Sequence, residues 1–96
     1  MSNFWDLEEK RKIDGLTFVL TSFASPEQYE VFDRKGKQVG YLRLRWGRFR
    51  VDYPDCGDET LYEAFPKGDG AFEEEEREFY LKEAIKTIKL KIEKKP

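Results

Sequence analysis

The sequence predicts an α+β domain: an antiparallel meander of about five strands with a long C-terminal helix packed on one face. Two stretches carry that prediction. From Tyr41 to Tyr53 apolar and polar residues alternate on both sides of Gly47-Arg48. This is the pattern of two antiparallel strands joined by a two-residue turn, with Gly first as a type II′ turn prefers. From Phe72 to about Glu93, Leu81, Ala84, Ile85, Ile88 and Ile92 recur at helical spacing and form one apolar stripe. The 96 residues suit a single domain over 1–96, since a second core would be too small to stand alone.

Taken in order, Asn3 to Ile13 is expected to form a short helix. Asn3 would be its cap, Asp6 would lie in its first turn and Gly15 would end it. Leu16 to Thr21 is β-branched and aromatic and reads as a strand with Leu16, Phe18 and Leu20 inward. Phe23 to Glu27 is a loop, because Pro26 lacks a backbone donor and biases Ser25 away from helix. Gln28 to Asp33 is the second strand, and Gly36 suits the left-handed position of the turn that follows. Lys37 to Trp46 and Phe49 to Tyr53 are the third and fourth strands. Pro54 to Asp58 is a loop and Glu59 to Phe65 the fifth strand. Asp69 is the expected cap of the long helix.

Register decides which side chains share a face. A Gly47-Arg48 turn sets Trp46 against Phe49, Leu44 against Val51 and Leu42 against Tyr53, all in the core. Arg45 then faces Arg50 on the other side, beside Arg43 and Asp52, with Arg48 at the tip. Pairing Asp33 with Lys37 sets Val31 against Val39 and Tyr29 against Tyr41, on the same side as Arg43 and Arg45.

The net charge of −2 hides a strong segregation. Arg34 to Arg50 holds seven basic residues and no acid. Asp52 to Glu78 holds eleven acids against Lys67 and Arg77. From Lys82 onward six lysines face two glutamates. Such blocks set partner choice and encounter rate rather than fold. The four glutamates Glu73 to Glu76 suit the positive end of a helix, and the lysines its negative end.

The chemistry argues against an enzyme. There is no histidine, so no Ser-His or Cys-His nucleophile can be assembled. The single cysteine, Cys56, lies among carboxylates, which disfavour a thiolate. One thiol excludes an intramolecular disulfide and a thiolate zinc site in a monomer, and suits a reducing, cytoplasmic setting. Asp52, Asp55, Asp58 and Glu59 match no cation-binding loop, and Lys67-Gly68-Asp69-Gly70 lacks the ending of a phosphate-binding loop. No cofactor is expected. No apolar run approaches the length of a membrane span or forms a signal core.

The positive feature is the arginine comb: Arg43, Arg45, Arg48 and Arg50 on adjacent strands, flanked by Tyr41 and Tyr29. A basic sheet surface interleaved with aromatics suits single-stranded nucleic acid. It equally suits a complementary protein surface.

The segment from about Tyr29 to Phe72 contains GYLRLRWGRFRVDYPD, a Thr-Leu-Tyr strand and a Gly-Asp-Gly turn, and leads into a Glu-rich helix. It resembles small proteins encoded by bacterial prophages and other mobile elements. The resemblance implies an accessory role in phage–host interaction, replication or defence evasion, and supplies no catalytic site. The first expectation is therefore a non-catalytic accessory protein acting through protein–protein contact, as monomer or homodimer. A nucleic-acid binder using Arg43, Arg45, Arg48 and Arg50 is the second. A homo-oligomeric subunit joined through Tyr29, Val31, Val39 and Tyr41 is the third.

Overall fold

A computed structural model describes residues 10–22 and 26–94. Among these residues six strands follow one another in an antiparallel meander, and a single helix comes after them. They are β1 (Lys10–Ile13), β2 (Leu16–Ser22), β3 (Glu27–Phe32), β4 (Gln38–Arg45), β5 (Arg48–Tyr53), β6 (Glu59–Ala64) and α1 (Glu74–Lys94). The sheet order is the chain order, so every connection is a hairpin or a short loop.

The sixth strand lies where a helix was expected. Lys10 to Ile13 pairs with Leu16 to Val19, and the expected helix residues before Lys10 lie outside the described residues. The deciding signal is Asp14-Gly15. Both residues have positive φ, 58° and 89°, the requirement of a type I′ hairpin, for which Asp-Gly is a favoured pair. Glu27 also departs from expectation, because it opens β3 rather than ending a loop.

Two registers differ from the sequence pattern. Arg45 pairs with Arg48, Leu44 with Phe49 and Leu42 with Val51, so the β4–β5 turn is Trp46-Gly47, not Gly47-Arg48. Both turn residues have positive φ, 56° and 73°, again type I′. Moving the turn by one residue shifts each cross-strand pair by two positions. The inward faces therefore stay inward, but Trp46 leaves the core and Arg50 now stands opposite Arg43. Between β3 and β4 a bulge at Val31/Phe32 sets Tyr29 against Leu42 and Val31 against Gly40. The Asp33–Lys37 closure forms as expected, with the Asp33 N–H donating to the Lys37 carbonyl at 2.9 Å. One extra residue then turns the rest of the strand over. Tyr29, Val31 and Val39 are buried, so the expected apolar patch with Tyr41 does not form.

The helix lies over the buried face. Leu81, Ala84, Ile85 and Ile88 pack with Phe18, Leu20, Val31, Leu42, Leu44, Phe49 and Val51 in one cluster. Full burial of side chains of this size stabilises by roughly 1.5–3 kcal/mol each. Gly40 permits close approach: a Cβ there would stand 2.6 Å from Ile88 Cδ1. Glu73, not Asp69, caps the helix. Its carbonyl accepts from the N–H groups of Glu76 and Arg77, and the Glu76 carboxylate accepts from the Glu73 N–H at 3.0 Å. The same carboxylate accepts from Lys67 and Gly68 N–H at 2.9 Å. Burial alone would raise the Glu76 carboxyl, but these N–H donors outweigh it and hold it below its ordinary value.

A buried ion pair fastens β3 to the helix. Glu27 and Arg77 are almost fully buried. Arg77 Nε donates to Glu27 Oε2 at 2.8 Å and Nη2 to Oε1 at 3.2 Å. Tyr29 and the Phe72 N–H also donate to this carboxylate. Such an arrangement satisfies the charges that burial would otherwise penalise.

Candidate binding face

The helix covers one side of the sheet, and among the described residues no element covers the other. Arginines reach the open side because β4 and β5 alternate: Leu42, Leu44, Phe49 and Val51 point under the helix, so Arg43, Arg45, Arg48 and Arg50 point away from it. The register sets Gln28, Arg43, Arg50 and Glu63 in one cross-strand row, and Glu30, Tyr41 and Asp52 in the next. Arg45 and Arg48 stand opposite each other beside the Trp46-Gly47 turn. All five sequence-predicted residues, Tyr41, Arg43, Arg45, Arg48 and Arg50, therefore share this face.

The arginines are not equivalent. Arg48 forms an ion pair with Glu63 of the neighbouring strand. Arg50 Nε lies 3.2 Å from Asp52, a buried carboxylate that also accepts from the Gly57 N–H and the Thr60 hydroxyl at 2.9 Å. Among the described residues the acids paired with the comb are Glu63 and Asp52, and Asp69 lies beside the hairpin tip. Among the described residues no carboxylate pairs with Arg43 or Arg45. Tyr41 is partly buried and donates to Gln28 at 3.1 Å. Burial pushes its phenol above the ordinary range, the neighbouring Cys56 thiol adds to the shift and Arg43 opposes it.

Two aromatics complete the face, and neither was assigned to it from sequence. Trp46 is 81% exposed and Phe65 74%. With Arg43, Arg45, Arg48 and Arg50 they line a groove of about 370 Å3. The Arg45 guanidinium lies 5.8 Å from the centre of the Trp46 ring, within cation–π range. The alternation of β4 points Trp46 inward, so only a correct choice of turn type would have found it. Phe65 lies just beyond β6 and before Pro66, where the alternation of a strand no longer fixes direction.

A larger open cleft of about 550 Å3 lies between the end of β1 and the helix, with Ile13, Ile85 and Leu90 among lysines and acids. Two of its lysines already have acid partners, Lys86 with Glu83 and Lys89 with Asp14. Among the described residues its lining holds no aromatic side chain, unlike that of the arginine face. Among the described residues no group of three or more cysteines and carboxylates is arranged to hold a metal ion. No helix is long and apolar enough to cross a membrane. No protein-family model, curated protein or solved structure matches the chain, so the chemistry of this face rests on its own geometry.

Proposed function

We propose that the protein is a small non-catalytic binding module that contacts an acidic protein surface through the open arginine face of its sheet. The observation that carries this is Trp46. A large aromatic ring stands almost wholly in solvent, on a left-handed turn position that Asn or Gly fills best. Trp and Arg, the residues that dominate binding energy at protein interfaces, lie side by side here. Among the described residues the two arginines of β4 have no carboxylate partner, which favours an acidic ligand. The accessory role in a prophage or mobile element is one such use and belongs to the same proposal. So does a cytoplasmic setting, which the lone thiol fits.

A second reading is favoured by the same aromatics. Trp46 and Phe65 beside Arg43 and Arg45 offer bases to stack on and phosphates to hold. Glu30 on the same face repels phosphate and carboxylate alike, and Glu63 is already held by Arg48, so a binding measurement and not charge separates the two readings.

The test is selection of a displayed random peptide library on the folded protein, with labelled oligothymidylate titrated in parallel. Binders that lose affinity for Trp46→Ala and for Arg43→Glu support the proposal. If every binder is indifferent to both substitutions, the face is not a binding surface. If only oligothymidylate binds, with a log–log salt slope of about −0.7 per phosphate contacted, the second reading replaces the first.

A further inference from the structure

We infer that the groove lined by Trp46 and Phe65 takes an extended peptide segment carrying an acid-x-acid pair and an apolar side chain two residues further on. The inference rests on the arginine face being a protein-binding surface, and adds the form and chemistry of what it binds.

Three observations lead there. The first is spacing. Arg43 and Arg45 are two residues apart on one side of β4, so their side chains leave the backbone roughly 6.5–7 Å apart. Side chains at alternate positions of an extended peptide recur at the same interval. Acids at such positions reach both guanidinium groups without bending the peptide.

The second is the pairing already present. Across the hairpin, Arg50 stands opposite Arg43 and Arg48 opposite Arg45. Arg48 and Arg50 already hold carboxylates, from Glu63 and Asp52. The face is thus a double row of guanidinium groups in which one row is matched with carboxylates and the other is not. A peptide bringing two more carboxylates completes the pattern.

The third is size and rim. At about 370 Å3 the groove has room for a few side chains, near the lower end of ligand pockets, and none for a folded domain. Exposed Trp46 and Phe65 are part of its lining, and they would cover one apolar side chain near the hairpin tip. The Arg45 guanidinium beside the Trp46 ring ties the charged part of the site to the aromatic part. A peptide here lies across the sheet face and not along an edge strand, so its side chains supply the recognition.

The probe is a fluorescein-labelled peptide built on Glu-Thr-Glu-Thr-Leu, in which both acids and the Leu share one side, followed by anisotropy. Comparison peptides carry Gln-Thr-Gln-Thr-Leu and Glu-Glu-Thr-Thr-Leu, and oligothymidylate is the third ligand. Expected is binding of the first peptide, with weaker binding of the uncharged and wrongly spaced ones. Arg43→Glu and Arg45→Glu should each lower affinity roughly two- to fivefold, as loss of exposed ion pairs does. A Lys-Thr-Lys-Thr-Leu peptide should bind the double variant better than the wild type. Arg45 is exposed and Arg43 half-buried, and unchanged thermal unfolding of the variants confirms that folding is not the cause. Equal binding of Gln-Thr-Gln-Thr-Leu, or arginine-dependent binding of oligothymidylate alone, overturns the inference. Non-acidic library peptides that still depend on Trp46 would overturn it while leaving the binding face in place. Loss of every Trp46-dependent binder would remove both.

Discussion

Trp46 occupies a backbone position that the fold alone would give to another residue. With φ at 56° it lies in the left-handed region, where Asn and Gly are favoured and bulky side chains are outliers. Its ring is exposed and so contributes little to the core. Trp46→Asn should therefore stabilise the protein, by about 0.5–1 kcal/mol, and abolish binding at the arginine face. Urea unfolding and peptide anisotropy on the same variant check the two halves. A drop in stability instead would mean that the ring fastens the tip to the Asp69-Gly70 segment beside it, which lines the same small hollow as Arg45 and Pro26. The Gly47 N–H already donates to the Asp69 carbonyl there, at 2.5 Å.

At the scale of elements, the helix sits on the sheet through one close approach. The Cβ of an alanine at position 40 would meet Ile88 Cδ1 at 2.6 Å and Val31 Cβ at 3.4 Å. Ile88 Cδ1 is the end of a side chain and can turn aside, but it is fully buried, so the neighbours must move with it. Gly40→Ala should cost about 1–3 kcal/mol. Ile88→Val alone should cost about 0.5–1.5 kcal/mol. Together they should cost less than their sum, since the second removes the atom that the first strikes. Additive effects in urea unfolding would place the crowding elsewhere.

The same region shows where sequence pattern stops being sufficient. The inward set Leu16, Phe18 and Leu20 and the helix stripe were legible because each repeats without interruption. The β3–β4 pairing was not, because one bulge residue reverses the alternation and nothing in Phe32 to Val39 marks where it falls. The strand Lys10–Ile13 was legible in Asp14-Gly15, a pair that suits a type I′ hairpin turn. The arginine comb survived the turn error because a shift of two positions preserves facing. Of its two expected flanking tyrosines Tyr41 stayed on the face, and Tyr29 was turned into the core by the bulge. The Glu27–Arg77 pair was invisible because fifty residues separate its members and nothing local distinguishes them from surface charges.

At the scale of the whole molecule, the distribution of titrating groups fixes how stability depends on pH. The chain has no histidine, the side chain whose ordinary pKa lies between about 5 and 8. On the acid side, Asp33 and Glu76 are both lowered in the folded state. At Asp33 the cause is the N–H groups of Lys37 and Lys35, and at Glu76 the N–H donors that overcome burial. A depressed carboxyl contributes stability that is present above its unfolded value, 3.8 for Asp33 and 4.5 for Glu76, and is lost as pH falls through the folded one. On the alkaline side Tyr29 is raised, first by burial and then by the Glu27 carboxylate to which it donates, with Arg77 opposing. A raised phenol contributes stability that is complete below its unfolded value of 10.0 and is lost as pH climbs toward the folded one. Burial also raises Tyr41 and Tyr62, and they act in the same sense. The urea midpoint should therefore stay level between about pH 5 and about pH 9 and fall on both sides. Glu76→Gln should flatten the acid limb and leave the alkaline limb alone. Tyr29→Phe should do the reverse, with a loss of about 1 kcal/mol at neutral pH for the missing hydrogen bond to Glu27. A steep change of midpoint inside the level region would show that a group outside this set governs folding. An alkaline limb unaltered by Tyr29→Phe would show that the buried Glu27–Arg77–Tyr29 cluster does not resist ionisation as its burial requires.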